Sequence, residues 1–72
     1  MERRIETLIY ENVKRLCNEN NISIQRLERE CGIGNGTVGK WRVRTATPRV
    51  DALQKIAARF GTTVDELLKE AK

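Results

Sequence analysis

The chain has 72 residues, of which 39% are hydrophobic and 33% charged, and Lys and Arg outnumber Asp and Glu by 14 to 10. This size predicts one domain over residues 1–72, and the composition is typical of a small helical protein rather than of a disordered tail. The sequence contains no His, no P-loop and no dinucleotide fingerprint. Since the commonest general base is missing, we expect neither an enzyme nor a cofactor or metal site.

The entire net charge of +4 comes from one basic stretch. Between Cys31 and Val50 the chain carries four cations and no acid, while the two signs balance elsewhere; the cations are Lys40, Arg42, Arg44 and Arg49. Such a stripe favours a phosphate-backbone binder, because cations displace the counterions condensed on nucleic acid. Four exposed cations are equally compatible with simple solubility charge. The surrounding pattern has to decide between the two.

Two helices are predicted in the first part of the chain. Apolar residues at three- and four-residue steps indicate a first helix over about residues 3–19. It is followed by Asn20 and Asn21, which tolerate the left-handed conformation that closes a helix. Ser23 is a good N-cap for the second helix, and Gly32 is expected to end it.

A short third helix is predicted from about Asn35 to Val43. Val38 and Trp41 lie three residues apart and should face inward, which makes Trp41 a core residue rather than a platform for stacking bases. Two short helices with a glycine-containing turn between them have the layout of a helix-turn-helix, here over about residues 23–43.

Two further helices complete an all-α chain of five helices. Thr47 as cap and Pro48 at the first helical position predict the start of the fourth helix, which Gly61 should end. Its buried face is predicted to comprise Val50, Leu53, Ile56, Ala57 and Phe60. Thr63 and Glu66 have the spacing of a capping box at the start of the fifth helix. The inward residues of that helix are predicted to be Val64, Leu67, Leu68 and Ala71.

An ordered set of residues spans nearly the whole chain and carries a family resemblance. The set comprises Asn12–Leu16, Asn21–Ser23, Leu27, Gly32–Ile33, Thr37–Val38, Lys40–Trp41, Pro48, Asp51, Leu53, Ile56–Ala57 and Phe60–Leu68. With these spacings the chain resembles the lambda-repressor and Cro family of helix-turn-helix domains. The resemblance implies a five-helix fold whose third helix enters the DNA major groove, while the second lies across the backbone.

The same resemblance implies a set of DNA-binding residues. Those expected to face base edges are Asn35, Gly36, Gly39 and Lys40, with Thr37 between them near the groove wall. Those expected to follow the phosphate backbone are Ser23 and Gln25 at the start of the second helix, and Arg42, Arg44 and Thr45 in and before the next loop.

Glycine occupies two of the four positions expected to read bases. Inside a helix, Gly36 and Gly39 would each cost about 1 kcal/mol relative to Ala. They indicate either poor helix packing or close approach of the backbone to DNA. We favour the second, because a poor helix former needs an offsetting gain. Direct readout then falls to Asn35, which suits adenine, and to Lys40, which suits guanine.

Two other departures concern contacts that the family often makes. Cys17 and Arg42 replace both halves of an ion pair between the first helix and the residue after the Trp, which leaves Arg42 available for a phosphate. Ile24 replaces a Gln that binds phosphate, and we expect it to be a staple or core residue. Gln25 is the nearest substitute, although it points about 100° away on a helix.

The two cysteines are predicted to be reduced. Two thiols without His cannot form a four-ligand zinc site. The N-terminus does not have the pattern of a signal peptide, so we expect a cytoplasmic protein without a disulfide. Cys31 is predicted to be a small buried residue and Cys17 to be half-buried.

Together these features predict a sequence-specific regulator of transcription that binds double-stranded DNA. A repressor of the phage or mobile-element type is the leading hypothesis. Such domains usually bind as pairs on half-sites about one helical turn apart, but the sequence leaves open whether this chain forms a homodimer. The alternative is an antitoxin or another protein-interaction module with the same fold, whose main partner would be a toxin. No membrane partner is expected.

Overall fold

The structure, a computed structural model, describes residues 5–43 and 46–69. This part of the chain contains five helices and no strand: α1 (Ile5–Glu19), α2 (Ile24–Cys31), α3 (Thr37–Arg42), α4 (Val50–Phe60) and α5 (Val64–Leu67). The all-α architecture predicted from the sequence is therefore confirmed. Within the described ranges, no helix has the length and apolar character needed to cross a membrane.

Several helix ends are set by the capping residues that the sequence predicts. The hydroxyls of Ser23 and Thr63 accept hydrogen bonds from backbone N–H groups in the first turns of α2 and α5, at 3.0 and 3.2 Å. Gly32 and Gly61 end α2 and α4 in the left-handed conformation, with φ of 69° and 66°. Asn21 is also left-handed, with φ of 58°, just beyond α1. These residue types lower the cost of those conformations.

The start of α4 differs from the prediction. Arg49, with an extended backbone, is the N-cap and Val50 is the first helical residue, so Thr47 and Pro48 precede the helix. Val50 is 66% exposed, and its predicted place on the buried face is wrong. Since the first described buried residue of α4 is Leu53, one turn further on, Val50 lies beyond the edge of the core.

The fifth helix is a single turn, and a side chain from α1 binds carbonyls at and just beyond its end. Asn12, which is buried, donates from Nδ2 to the carbonyls of Leu67 at 2.6 Å and Lys69 at 2.8 Å. Leu67 is fully buried, whereas Leu68 is 36% exposed and not on the inward face as predicted. Ala71 lies outside the described residues.

The core lies between α1, α2, α3 and α4 and is closed by Leu67. Its largest fully buried apolar side chains are Trp41, Leu27, Ile56, Leu67, Val13 and Val38. Trp41 is only 1% exposed, so its predicted place in the core is confirmed. Because each such side chain is removed from water, burial of this set stabilises the fold.

The two cysteines exchange their predicted environments. Cys17 lies one helical turn after Val13 and is fully buried, whereas Cys31, at the end of α2, is half-buried. The Cys31 thiol lies 3.7 Å from the carbonyl oxygen of Lys55. Burial raises the pKa of both thiols above their ordinary value.

An ion-pair cluster lies between α2 and α4. The Glu30 carboxylate accepts hydrogen bonds from Arg59 at 2.5 Å and from Arg26 at 2.8 Å. Hydrogen bonds from these two guanidinium groups lower the pKa of Glu30. The Arg59 guanidinium also lies 5.7 Å from the centre of the Phe60 ring. The cluster is largely solvated, so we expect it to contribute little to the stability of the fold or to the position of α2.

Candidate nucleic-acid interface

The turn between α2 and α3 extends further than the sequence predicts. α3 begins at Thr37 rather than at Asn35, so Asn35 and Gly36 belong to the turn. Gly36 is the N-cap of α3 and has φ of 84°, a conformation that side chains other than glycine rarely adopt. The helix-interior cost expected for both glycines therefore applies to Gly39 alone. The backbone of the turn requires glycine at position 36.

A buried carboxylate from α2 caps the start of α3. Glu28 is 2% exposed, and its Oε1 accepts a hydrogen bond from the N–H of Gly36 at 3.0 Å. Its Oε2 accepts another from the N–H of Val38 at 2.8 Å. Both carboxylate oxygens are thus bonded, which offsets the cost of burying the charge.

Glu28 was not among the predicted site residues, because the signal for it depends on where α3 begins. The first N–H groups of any helix need acceptors from outside the helix. Gly36 has no side chain with which to cap α3, so the acceptor has to come from elsewhere. Glu28 directly follows the buried Leu27 and lies eight residues before Gly36, within the same helix-turn-helix.

Most predicted contact residues lie at the surface. The exposed ones are Ser23, Gln25, Asn35, Gly36, Gly39, Lys40 and Arg42, and Thr37 is half-buried. Arg44 and Thr45 lie outside the described residues. Ile24 packs partly buried against the core, as expected, which leaves Gln25 as the exposed polar side chain at the start of α2.

The structure brings two of these residues together in one cleft. Gln25 and Asn35 line a depression of about 390 Å³ between α2 and the turn, and Glu28 and Ile33 lie in the same cleft. Arg29, which the sequence analysis did not single out, is exposed and completes its wall. Over the described part of the chain, Arg29 forms no ion pair. The cleft therefore combines amide groups with a cation beside the turn.

The cations of the basic stretch that the structure describes are exposed. Lys40 and Arg42 lie on α3, and Arg49 lies just before α4. Arg49 approaches Asp51, with 3.9 Å between Nε and Oδ1, but the two side chains are 87% and 68% exposed. Such a pair contributes little, so Arg49 remains accessible to another anion.

Two short helices joined by a glycine turn, with a buried Trp41 fixing the second helix and exposed cations on it, define the helix-turn-helix class of DNA-binding domains. Comparison with family models gives a match to the helix-turn-helix family over residues 13–67. The chain belongs to the Cro/C1-type helix-turn-helix family, and the resemblance stated from the sequence is confirmed. Comparisons with curated proteins and with solved structures gave no significant match.

Family membership fixes the general activity. The protein is a DNA-binding helix-turn-helix regulator, and the family is not normally enzymatic. In the described ranges, no group of three or more potential metal-binding side chains lies together.

Proposed function

We propose that this protein is a sequence-specific repressor of the phage or mobile-element type, which blocks transcription by occupying double-stranded DNA. The observation that carries the proposal is the exposed, cationic α3 held on a buried Trp41. Consecutive residues of a helix point about 100° apart, so the anchoring of Trp41 in the core directs Lys40 outward. An α-helix of this kind fits the major groove, where base pairs present distinct hydrogen-bonding patterns.

Asn35 and Lys40 are the side chains proposed to read bases. Asn35 stands at the wall of the cleft and Lys40 on the exposed face of α3. An amide suits adenine and an ammonium group suits guanine, so the sequence code is short. An ideal Cβ built on Gly36 or Gly39 meets no atom of the protein within 4 Å. Both glycines therefore expose backbone that DNA can approach closely, with Thr37 beside them.

The remaining predicted contacts are proposed to bind phosphates. The start of α2, with Ser23 and Gln25, presents backbone N–H groups and a positive helix dipole end. Arg42, Arg44 and Thr45 supply charge and hydrogen bonds along the same strand. Such contacts fix the register of the domain on the duplex without carrying sequence information.

We further propose that the chain acts as one domain, bound as a homodimer in the compartment that holds the DNA. One copy reads only a few base pairs, and two copies on half-sites about 34 Å apart read twice as many. The lack of side chains at Gly36 and Gly39 favours a second candidate, an antitoxin whose main partner is a toxin. An operator motif supports the first candidate, whereas tight binding to the product of an adjacent toxin gene with no operator motif supports the second.

Selection of binding sites from random duplex DNA tests the proposal. The repressor model predicts one enriched motif, and Lys40→Ala should then lower affinity for that motif by about 10- to 100-fold. Affinity for a scrambled duplex should change much less. Lys14→Ala, which removes the same charge from an exposed position on α1, is the matched control. Selection that enriches no motif, or an equal loss from both lysine variants on both duplexes, would contradict sequence-specific reading by α3.

A further inference from the structure

Three backbone donors at the start of α3 are bonded within the protein. The N–H groups of Gly36 and Val38 are bonded to Glu28, and that of Thr37 donates to the carbonyl of Gly34 at 3.1 Å. Because all three groups are occupied from within the protein, none is available for a DNA phosphate. Contacts to DNA from this end of α3 must come from side chains or from other exposed backbone, such as that of Gly39.

The buried charge of Glu28 needs an explanation in a DNA-binding domain. An acid close to a surface that binds a polyanion opposes binding, and burying a charge is costly even when it is hydrogen-bonded. A side chain at position 36 could not cap α3 in place of Glu28. A residue whose own side chain caps a helix has an extended backbone, whereas Gly36 has φ of 84°. The cap therefore comes from α2, and it ties α3 to the helix that is proposed to hold the phosphate backbone.

Gly36 links this cap to both proposed base-reading residues. Asn35 is its chain neighbour, and the N–H of Lys40 donates to the carbonyl of Gly36 at 3.3 Å. The Glu28 side chain also lines the cleft that contains Gln25 and Asn35. A shift of Gly36 away from Glu28 would consequently move Asn35 and Lys40 relative to the start of α2.

We propose that Glu28 is a positioning residue that sets sequence discrimination without touching DNA. Its two hydrogen bonds hold Asn35 and Lys40 in register with the backbone-binding start of α2, so that both can meet their base edges at once. This inference rests on the proposed function, since it assigns a source of specificity to that same surface.

Glu28→Gln tests the inference, with Glu30→Gln as the matched control. The glutamine keeps the size of the side chain but places an NH₂ donor against one of the two N–H groups. Glu30→Gln removes the same charge from α2 at an exposed site that contacts Arg26 and Arg59 instead of α3. Any general gain in DNA affinity from losing an acid is therefore common to both variants.

Affinity is measured for the enriched duplex and for a scrambled duplex over a series of salt concentrations. Glu28→Gln should reduce the ratio of the two affinities by roughly tenfold or more, with an unchanged salt slope. Glu30→Gln should leave the ratio within about twofold of the parent value. Amide hydrogen exchange should accelerate in Glu28→Gln alone, at whichever of Gly36 and Val38 faces the new NH₂ group, which reports directly on the lost bond.

Thermal unfolding is measured for each variant, and DNA binding is then assayed at a temperature at which that variant is folded. Glu28→Asp, which keeps the charge but has one methylene fewer, should lose part of the discrimination and serves as the test if the glutamine variant does not fold. A folded variant that retains full discrimination, or loses affinity equally on both duplexes, overturns the inference. Absence of discrimination in the parent protein would instead overturn the proposed function.

Discussion

Alanine substitutions at Gly36 and Gly39 should change the stability of the protein in opposite directions. Neither site is sterically restricted, because an ideal Cβ at each position meets nothing within 4 Å. The difference lies in the backbone. Gly36 has φ of 84°, and an alanine held in the left-handed region costs about 1–2 kcal/mol, part of which is offset by a less flexible unfolded chain. Gly39 lies inside α3, where alanine is favoured over glycine by about 1 kcal/mol.

The resulting shifts are large enough to measure. For a domain of this size, 1 kcal/mol changes the midpoint of thermal unfolding by about 4–8 °C. Gly36→Ala should therefore lower the midpoint by several degrees, and Gly39→Ala should raise it by a similar amount. Circular dichroism melts, with urea unfolding as an independent measure of the free energy, provide the assay. An increase in stability with Gly36→Ala would refute the left-handed cap, and a decrease with Gly39→Ala would refute its helical position.

Three other predictions follow from named contacts. Arg42→Ala should weaken binding to specific and scrambled duplexes by a similar factor and reduce the salt slope by about one unit; an unchanged slope in binding titrations would show that Arg42 contacts no phosphate. Asn12→Ala should lower the free energy of unfolding in urea by about 1–3 kcal/mol, because the carbonyls of Leu67 and Lys69 lose their donor; a change below a few tenths of a kcal/mol would contradict those bonds. Iodoacetamide should label Cys31 faster than Cys17 in the folded protein near neutral pH, both more slowly than in urea, since burial raises both pKa values; faster labelling of Cys17, or a mass showing a disulfide, would contradict this arrangement.

Local sequence signals were sufficient to predict the presence and order of the five helices. Amphipathic periodicity, the hydroxyl caps Ser23 and Thr63, and the closing glycines Gly32 and Gly61 each act within a few residues of the chain. For that reason they could be recognised without knowledge of the tertiary structure. The same holds for Trp41, whose burial follows from its spacing from Val38.

The features that the sequence does not predict depend on contacts between distant segments. The hydrogen bonds of Asn12 to the end of α5 span 55 and 57 residues, and no local pattern indicates where that helix ends. In the sequence, Glu28 is one of several charged residues of α2. Its role becomes clear only because the turn brings the N–H of Gly36 to its carboxylate. The exposure of Val50 likewise depends on where the core ends, which periodicity along a single helix does not reveal.

Gly36 and Gly39 have different structural roles although they are the same residue type. Sequence reasoning treated Gly36 and Gly39 as equivalent poor helix formers. The structure separates them, because Gly36 adopts a left-handed turn conformation and Gly39 lies within a helix. The role of their backbone at the DNA surface stays a prediction, and it requires that Gly39→Ala weaken DNA binding while it stabilises the fold.

Chemical-shift mapping of the labelled protein with its enriched duplex tests the central claim most directly. Backbone amides are followed by NMR as the duplex is added, with the scrambled duplex as the control. We predict the largest changes at the start of α2, around Ser23 and Gln25, and from Asn35 to Arg42, with small changes on α1 and α5. Changes concentrated on α5, or an identical pattern with both duplexes, would contradict the claim that α3 reads the sequence of DNA.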